Sequence, residues 1–308
     1  MSIDKVLGKI TEYPDQYDPG ILVKELRQTN RDTVELNGDD LPFVGYDVWN
    51  AYEISGLTSN GFPVAGIAKI VYPCDSTYIV ESKSIKLYFN SFNMQDCGKG
   101  PAEVLQWIAE TASNDLGKLL ETDVKVVIHM ASIDVATEPL FSTGNIMSGD
   151  YQTLEDTVGK KLTGKVFDVY TETPELLKIK GHAHEVVGDT SGVVCKFHSA
   201  LLKSNCKVTS QPDWGDVYIY MKSDSLIEPE SLLEYIISFR DECHFHEEIC
   251  ETMYKRLHDI FTPKELCVTC LYARRGGIDI NPTRASHAHL INKRLIDPFE
   301  LHTKTTKQ

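Results

Sequence analysis

Strand-like and helical segments follow one another in the same order in both halves of the chain, and this order restricts the fold most strongly. In the first half, an apolar run at 64–72 and an alternating run at 78–90 predict two strands. Pro101 then opens a segment whose apolar residues have helical spacing. A further apolar run at 124–130 predicts another strand. Strands therefore come first, a helix second and a strand last.

The second half repeats this order without repeating the letters. Segments 192–198 and 216–222 have the pattern of strands, and the second of them alternates apolar with polar residues. Two helices are predicted next, one opened by Pro229 and one beginning near His246. A last strand is expected at 266–273. We expect a glycine-rich turn and a polar tail after it.

Strands and helices do not alternate singly, as they do in parallel βαβ proteins. The sequence therefore predicts an α+β fold with helices on one face of a mainly antiparallel sheet. The first 45 residues are polar and interrupted by proline and glycine, which predicts an irregular arm. An acidic stretch at 145–157 indicates a joint. We therefore divide the chain into an N-terminal half, 1–150, and a C-terminal half, 151–308.

Charge and cysteine content narrow the class of function. The 308 residues carry a net charge of −14, from 45 acidic and 31 basic side chains. Such a surface repels a phosphate backbone, so direct binding of nucleic acid is not expected, whereas a small base or one anionic cofactor is compatible with it. The N-terminus lacks a secretory signal, and no apolar run reaches the ~20 residues that cross a bilayer. We expect a cytoplasmic protein without membrane contact, whose eight cysteines are reduced thiols.

A cysteine and an aspartate flank a turn in segment 201–220. Cys206 precedes the turn signal at 211–215, where a cysteine is expected to be partly exposed. A reactive cysteine needs a neighbouring base or cation, because only a few per cent of a free thiol is ionised near neutral pH. Asp213 could accept that proton and later return it. The alternative is a small buried cysteine beside a turn-forming aspartate.

Two further segments carry charge beside apolar residues. Segment 81–88 is predicted as a strand in which Glu81 and Lys83 share one face and could meet a polar ligand, although a solvated strand face is the alternative. His246 and Glu247 begin a predicted helix, whose dipole should keep the Glu247 carboxylate ionised. An ionised carboxylate matches the paired N–H donors of a guanine-like edge. The alternative is an ordinary acidic first turn.

The segment at 274–284 joins two arginines to two glycines. Glycine permits close approach of the backbone to a ligand, and arginine supplies paired donors to phosphate, although a plain turn is the alternative.

Metal sites are not expected. Cys267 and Cys270 have metal-type spacing, but a strand points them to opposite faces. Three His-x-His pairs lack an assignable third ligand: His182 and His184, His244 and His246, and His287 and His289.

Five segments together resemble the nitrile reductases that convert 7-cyano-7-deazaguanine into 7-aminomethyl-7-deazaguanine with NADPH, a reaction of queuosine biosynthesis and thus of tRNA modification. The segments are DDLPFVGYDVWNAYE (39–53), ESKSIKLYFNSFN (81–93), LLKSNCKVTSQPDWG (201–215), SFRDECHFHE (238–247) and RRGGIDINPTR (274–284). They occur in the family's order across nearly the whole chain. The resemblance is to the long form of the family, in which one chain holds two tunnelling-fold (T-fold) halves. It implies a homodimer, since such halves usually complete a barrel by association.

The resemblance also implies roles for individual residues. Cys206 would attack the nitrile carbon and form a thioimide, and Asp213 or His246 would deliver protons. Residues in contact with the substrate would be Val80, Glu81, Ser82, Phe245, His246 and Glu247. Residues in contact with NADPH would be Ser82, Lys83, Arg275 and Gly276. No metal is implied.

Two other classes of function stay open. One is another enzyme of the same fold, such as a cyclohydrolase or an amidine-forming relative that acts on a pterin or a deazapurine. The other is a purine-binding or scaffold protein without catalysis. Cys206 and Asp213 favour an enzyme, because simple binding needs neither of them.

Overall fold

One ten-stranded sheet runs through both halves of the chain in the computed structural model, which describes residues 14, 16–130, 142–145, 147, 149, 151–159, 165–183 and 191–308. The strands are β1 Lys24–Leu26, β2 Val44–Thr58, β3 Pro63–Pro73, β4 Tyr78–Val80, β5 Asp96–Gly98, β6 Lys125–Met130, β7 Ser142–Asn145, β8 Gln152–Thr153, β9 Ile179–His182, β10 Val193–Cys206, β11 Pro212–Ser223, β12 Ser225–Ile227, β13 Cys243–His244, β14 Glu265–Tyr272, β15 Ile278–Ala285 and β16 His302–Thr303. The helices are α1 Arg27–Arg31, α2 Ser82–Asn90, α3 Pro101–Leu120, α4 Leu154–Val158, α5 Pro229–Ser238, α6 His246–Phe261 and α7 Lys293–Ile296.

The order of strands in this sheet is β13-β10-β11-β14-β15-β2-β3-β6, with β5 beside β2 and β8 beside β10. Within this sheet the long neighbours are all antiparallel, and the short strands β5, β8 and β13 pair in parallel. The joint between the two halves is the ladder of β15 and β2, in which eight residue pairs are in register. Both halves therefore share one continuous sheet.

The four longest helices cover one face of the sheet. Side chains of alternate strand residues point to opposite faces, so Val217 and Ile219 of β11 pack under α5 and α6, while Tyr218 faces the other way. In the N-terminal half, Trp49 and Ile70 pack under α2 and α3 in the same manner. The other face is covered by α7 and the C-terminal segment. The predicted α+β fold is thus confirmed. The division at residue 150 stays a prediction, and the joint at 145–157 lies partly outside the described residues.

Residues 82–90 form a helix, so the predicted strand at 78–90 is wrong beyond Val80. The segment has alternating apolar residues, but Ile85, Tyr88 and Phe89 also have the spacing of one helix face, and that face is buried. Glu81 decides the outcome locally. Its carboxylate accepts hydrogen bonds from the backbone N–H groups of Lys83 (3.0 Å) and Ser84 (2.7 Å), which satisfies the free donors at the start of α2.

The predicted irregular arm is also wrong for residues 19–34, whereas residues 35–43 contain no helix or strand, as predicted. Residues 1–13 and 15 lie outside the described residues. A short 3-10 helix at Pro19–Ile21 leads into β1 and α1. Strand β1 pairs with β4, and Arg27 and Arg31 of α1 are buried. Charged residues usually indicate a solvated segment, but here they pair with buried carboxylates of other elements.

Strand β10 is longer than the sequence predicts, and β15 lies where the sequence predicts a turn and a polar tail, so that prediction is wrong for residues 278–285. Strand β10 extends to Cys206 instead of ending near 198, and it contains a register shift between Ser199 and Leu202. The glycine-rich segment continues into β15 in the centre of the sheet, where Pro282 and alternate polar residues hide the strand pattern. The connecting turn places Gly276 (φ +60°) and Gly277 (φ +78°) in left-handed backbone, which the two-residue loop of a tight hairpin requires.

Candidate active site

An outer cavity of about 190 Å³ and an inner recess of about 10 Å³ lie side by side where the two halves meet. Residues from α2, β11, the start of α6 and the β14–β15 hairpin border both: Ser82, Asp213, His246, Arg275 and Ile280. The recess alone has room for about one water molecule. A base of purine size therefore needs the recess to widen or to open into the outer cavity.

Cys206 lines the inner recess at the end of β10. Only 6% of the residue is exposed, so the predicted partly exposed position is wrong. The backbone closes around it, since its N–H donates to the carbonyl of Gln211 (2.8 Å) and its own carbonyl accepts from Ser210 (2.8 Å). Strand β13 adds a second wall, with His244 in register beside Cys206. The thiol is enclosed, yet it borders a cavity.

The pKa of the Cys206 thiol is lowered although the residue is buried. Burial is the largest influence and raises the pKa, because it disfavours the thiolate. Hydrogen-bond donors around the sulfur outweigh it: the hydroxyl and N–H of Thr209, the N–H of Val208 and the guanidinium of Arg275. Because the thiolate is the nucleophilic form of cysteine, the recess favours attack on an electrophilic carbon.

Asp213 borders the same recess from the neighbouring strand. It lies opposite Ser204 in the β10–β11 ladder, and 6% of it is exposed. Its Oδ1 is 2.8 Å from Nη1 of Arg275, and its Oδ2 is 3.5 Å from Nε2 of His246. A buried carboxylate with a cation on one side and an imidazole on the other can hold and pass on a proton. The two residues singled out around the turn are therefore brought to one cavity.

Glu247 closes the far side of the recess at the start of α6. It is 2% exposed, and its Oε1 has no hydrogen-bond partner among the described residues. The expectation that the helix start keeps it ionised is wrong, because its pKa is raised to about 8. Burial is the largest cause and the nearby negative charge of Asp47 is the second, and together they exceed the opposing effects of Arg27, its own N–H and Arg284. An unpaired buried carboxyl oxygen is a site for a ligand's N–H donors.

Glu247→Gln should stabilise the free protein at pH 8 and weaken binding of a guanine-like base. Between pH 4.5 and about 8, folded Glu247 keeps a proton that the unfolded chain releases, so stability falls as the pH rises through this window. Glutamine cannot ionise, so we expect a gain of about 4 kcal/mol at pH 8 that shrinks toward pH 5. Thermal unfolding of both proteins at pH 5 and pH 8 tests this difference. Equal stability of the wild type and the variant at pH 8 would contradict the raised pKa of Glu247.

Two apolar residues of the predicted set also border the recess, together with two residues that were not predicted, Trp49 and His244. Val80 and Phe245 border it and are almost fully buried. His244 was noted only in a His-x-His pair, yet it borders the recess and its ring nitrogens are 3.2 Å from Glu248 Oε2 and 3.1 Å from Glu242 Oε2. Burial lowers the pKa of His244, but the two carboxylates outweigh burial and raise it. A sequence signal existed, because acidic residues flank the histidine at positions −2 and +4.

The mouth of the outer cavity is cationic. Lys83, Lys86 and Arg275 border it, and Gly276 forms its floor at the hairpin turn. A Cβ atom at Gly276 would make only ordinary contact with Nζ of Lys86, 3.6 Å away, so the positive φ of the turn and not crowding favours glycine here. Such donors fit the phosphate groups of NADPH. Glu81 is different: its carboxylate caps α2, and the residue borders neither cavity, although its neighbours Val80 and Ser82 border the recess.

Among the residues that the structure describes, no group of three or more His, Cys, Asp and Glu side chains could hold a metal ion. Cys267 and Cys270 do point to opposite faces of β14, since they belong to different apolar clusters. His184, of one His-x-His pair, lies outside the described residues. No helix in the described ranges is both long and apolar enough to span a bilayer.

Comparison with known proteins gives a consistent assignment. A family model described as nitrile reductase, 7-cyano-7-deazaguanine-reductase N-term, matches residues 13–128, and one described as QueF-like protein matches residues 212–290. The NADPH-dependent 7-cyano-7-deazaguanine reductase of Coxiella burnetii (strain CbuK_Q154) is 37% identical over 91% of both chains. The enzyme of the same name from Colwellia psychrerythraea is 36% identical over 91% of both chains.

A solved structure of the archaeosine synthase QueF-Like in the apo form covers 32% of this chain and 94% of its own, at 17% identity and a TM-score of 0.28. That likeness is too low to support a conclusion about the fold. The curated relatives, in contrast, match over nearly their whole length at well above 30% identity. The chain belongs to the family of NADPH-dependent 7-cyano-7-deazaguanine reductases.

Proposed function

We propose that the protein reduces the nitrile of 7-cyano-7-deazaguanine to an aminomethyl group, with NADPH as the reductant and a thioimide on Cys206 as the covalent intermediate. The observation that carries this proposal is the shared recess. A cysteine of lowered pKa, a buried carboxylate and an unpaired glutamate border one small space. Few other reactions need a nucleophile, a proton carrier and a base-recognition group at such close quarters.

Base recognition is assigned to Glu247. The guanine-like edge of the substrate offers paired N–H donors, and the free Oε1 of Glu247 accepts them. Val80 and Phe245 supply apolar contacts to the ring, and Ser82 and His246 border the path toward the outer cavity. This arrangement directs the nitrile toward Cys206 if the base lies between Glu247 and the sulfur.

The chemistry balances through Cys206 and Asp213. The sulfur bonds to the nitrile carbon while the thiol proton passes by way of Asp213 to the nitrogen, which gives the thioimide. NADPH supplies two hydrides in turn, one to the thioimide carbon and one to the carbon of the imine. Between these events the carbon–sulfur bond breaks and the thiolate leaves. Asp213 or His246 returns protons to nitrogen. One nitrile thus takes up two hydrides and two protons, which together carry four electrons, to become one amine. The enclosed recess keeps water from the imine.

We assign NADPH binding to Ser82, Lys83, Arg275 and Gly276, and Lys86 adds a further cation at the same cavity.

We also propose that residues 1–150 and 151–308 are two tunnelling-fold halves, that the protein is a homodimer and that it works in the cytoplasm. The strand and helix order supports the first point: β2–β3, α2–α3 and β6 correspond to β10–β11, α5–α6 and β14. In the described sheet β6 is an edge strand, which a second copy could extend.

The stoichiometry of the reaction tests the proposed function. Purified protein with 7-cyano-7-deazaguanine should consume two NADPH for each 7-aminomethyl-7-deazaguanine formed, because the conversion needs four electrons. Nicotinamide absorbance and mass spectrometry of the product measure the two quantities, with a zinc chelator as a control that should change neither. An amidine or hydrolysis product, or base binding without NADPH oxidation, would instead favour another enzyme of this fold or a binding protein.

A further inference from the structure

Five buried charged residues, here called the arginine cluster, lie among α1, β2, β15 and α6, the helix that also carries Glu247. None of the five is more than 4% exposed: Arg27, Arg31, Asp47, Glu251 and Arg284. Arg284 Nη1 is 2.8 Å from Asp47 Oδ1, and Arg284 Nη2 is 2.9 Å from Glu251 Oε1. Arg27 pairs with the other oxygen of Asp47, and Arg31 makes two contacts of 2.8 Å with Glu251. The cluster joins both halves of the chain.

The charges of the arginine cluster do not balance without Glu247. Three arginines face two carboxylates, so the cluster carries one excess positive charge. Glu247 precedes Glu251 by four residues on α6 and therefore lies on the same face of the helix. Ionised Glu247 would bring the buried charges to three and three. Within the cluster, Arg27 and Arg284 thus favour the Glu247 anion that a base with paired N–H donors needs, whereas Asp47 opposes it.

Arg27 has a particular position in this cluster. Burial first, and Asp47 second, raise the pKa of Glu247, while Arg27 and Arg284 lower it; Tyr72 and Tyr272 also face this carboxyl. Arg27 is the partner of Asp47 that comes from outside the central sheet. Its Nε also donates to Ser76 Oγ (3.0 Å), whose hydroxyl donates to the carbonyl of Tyr78 (2.8 Å). The same side chain therefore neutralises Asp47 and holds the segment that leads to Val80.

We propose that Arg27 is a positioning residue for base recognition, which neutralises Asp47 and thereby allows Glu247 to bind the substrate as a carboxylate. The inference deepens the proposed function, on which it rests for the identity of the base. Arg27 touches neither cavity, so it acts through Asp47 and Glu247 rather than on the reacting atoms. It gives the N-terminal segment a part in recognition that is separate from catalysis.

Equilibrium binding in a Cys206→Ala background tests the proposal, because the substrate then binds without reacting. Calorimetry with 7-cyano-7-deazaguanine should show at least about tenfold weaker binding for Arg27→Met at pH 7. Without Arg27, Asp47 opposes ionisation of Glu247 more strongly, so the deficit should shrink at pH 9, where Glu247 ionises anyway. Arg27→Lys keeps the charge and should bind within a few-fold of the parent.

Two further variants separate electrostatics from structure. Asp47→Asn together with Arg27→Met removes the negative charge along with its partner, so binding at pH 7 should recover most of the loss. Arg31→Met removes an equally buried arginine that contacts Glu251 and not Asp47. It should lower the melting temperature without producing a pH-dependent loss of binding.

The outcomes decide between the inferences. A loss for Arg27→Met that is equal at pH 7 and pH 9, or that the double variant does not reduce, would overturn the positioning role and leave Arg27 a structural residue. Unchanged binding in folded Arg27→Met would overturn it as well. Failure of the proposed function has another signature, namely wild-type protein that oxidises no NADPH, and the binding comparison can be made whether or not turnover occurs.

Discussion

Cys206→Ala consumes no NADPH in the presence of 7-cyano-7-deazaguanine and forms no covalent adduct. The sulfur is the only atom at this position able to add to the nitrile carbon, and without it hydride has no thioimide to reduce. Addition of a thiol to a nitrile expels no atoms. Intact mass of wild-type protein incubated without NADPH should therefore rise by the mass of one whole substrate molecule, whereas that of the variant stays unchanged.

Cys195→Ala is the matched control for this result. Cys195 lies on the same strand, borders neither cavity, and loses the same atom on substitution. It should keep both adduct formation and turnover. An adduct on Cys206→Ala would move the nucleophile to another residue, and absence of an adduct on the wild type would remove covalent catalysis.

Asp213→Asn should lower kcat by roughly 10²-fold or more, the usual scale for loss of a positioned proton carrier. Asparagine has the same shape but cannot take the thiol proton or return it to nitrogen. It also loses the ion pair with Arg275, which lies 2.8 Å away. Adduct formation without NADPH, followed by rapid quenching and mass measurement, should slow along with turnover because the same carboxylate serves both.

Asp216→Asn provides a control three residues further along β11. Asp216 is likewise buried and lies 3.4 Å from His198 and 3.8 Å from Lys307, but it borders neither cavity. Its variant should lose stability while kcat stays within a few-fold of wild type. If Asp213→Asn also stayed within a few-fold, proton delivery would have to be reassigned, with His246 as the first candidate.

The class of the fold could be predicted because the spacing of apolar residues identifies most strands and helices one segment at a time. The helix α6 begins at His246, as its pattern predicts. Segment 82–90 shows where such reasoning stops. Its apolar residues fit both the spacing of a strand and the spacing of a helix. The helix forms because Glu81 caps it and because its apolar face is buried against strands distant in sequence.

The proximity of three candidate residues was predicted better than the environment of each, and their roles stay predictions. Cys206, Asp213 and His246 do border one recess, but exposure of Cys206 depends on β13, which is 37 residues away in sequence and pairs beside it. The protonation of Glu247 depends on its burial, on Asp47 and on Arg27. Asp47 and Arg27 belong to other elements, so the sequence of the helix itself does not reveal their effect. Arg27 and Arg31 looked like residues of a solvated arm, because a sequence does not reveal which charges find partners of opposite sign in the interior.

The ladder between β15 and β2 means that the two halves depend on each other for the active site. The sulfur and the carboxylates come from the C-terminal half, whereas the walls at Val80 and Ser82 come from the N-terminal half, and the seam between them consists of eight paired residues and ion pairs that cross it. Neither half by itself contains a complete reaction chamber. An exchange of halves between distant relatives would thus have to preserve the edges that meet at this seam, and the two parts are expected to change in step over evolution.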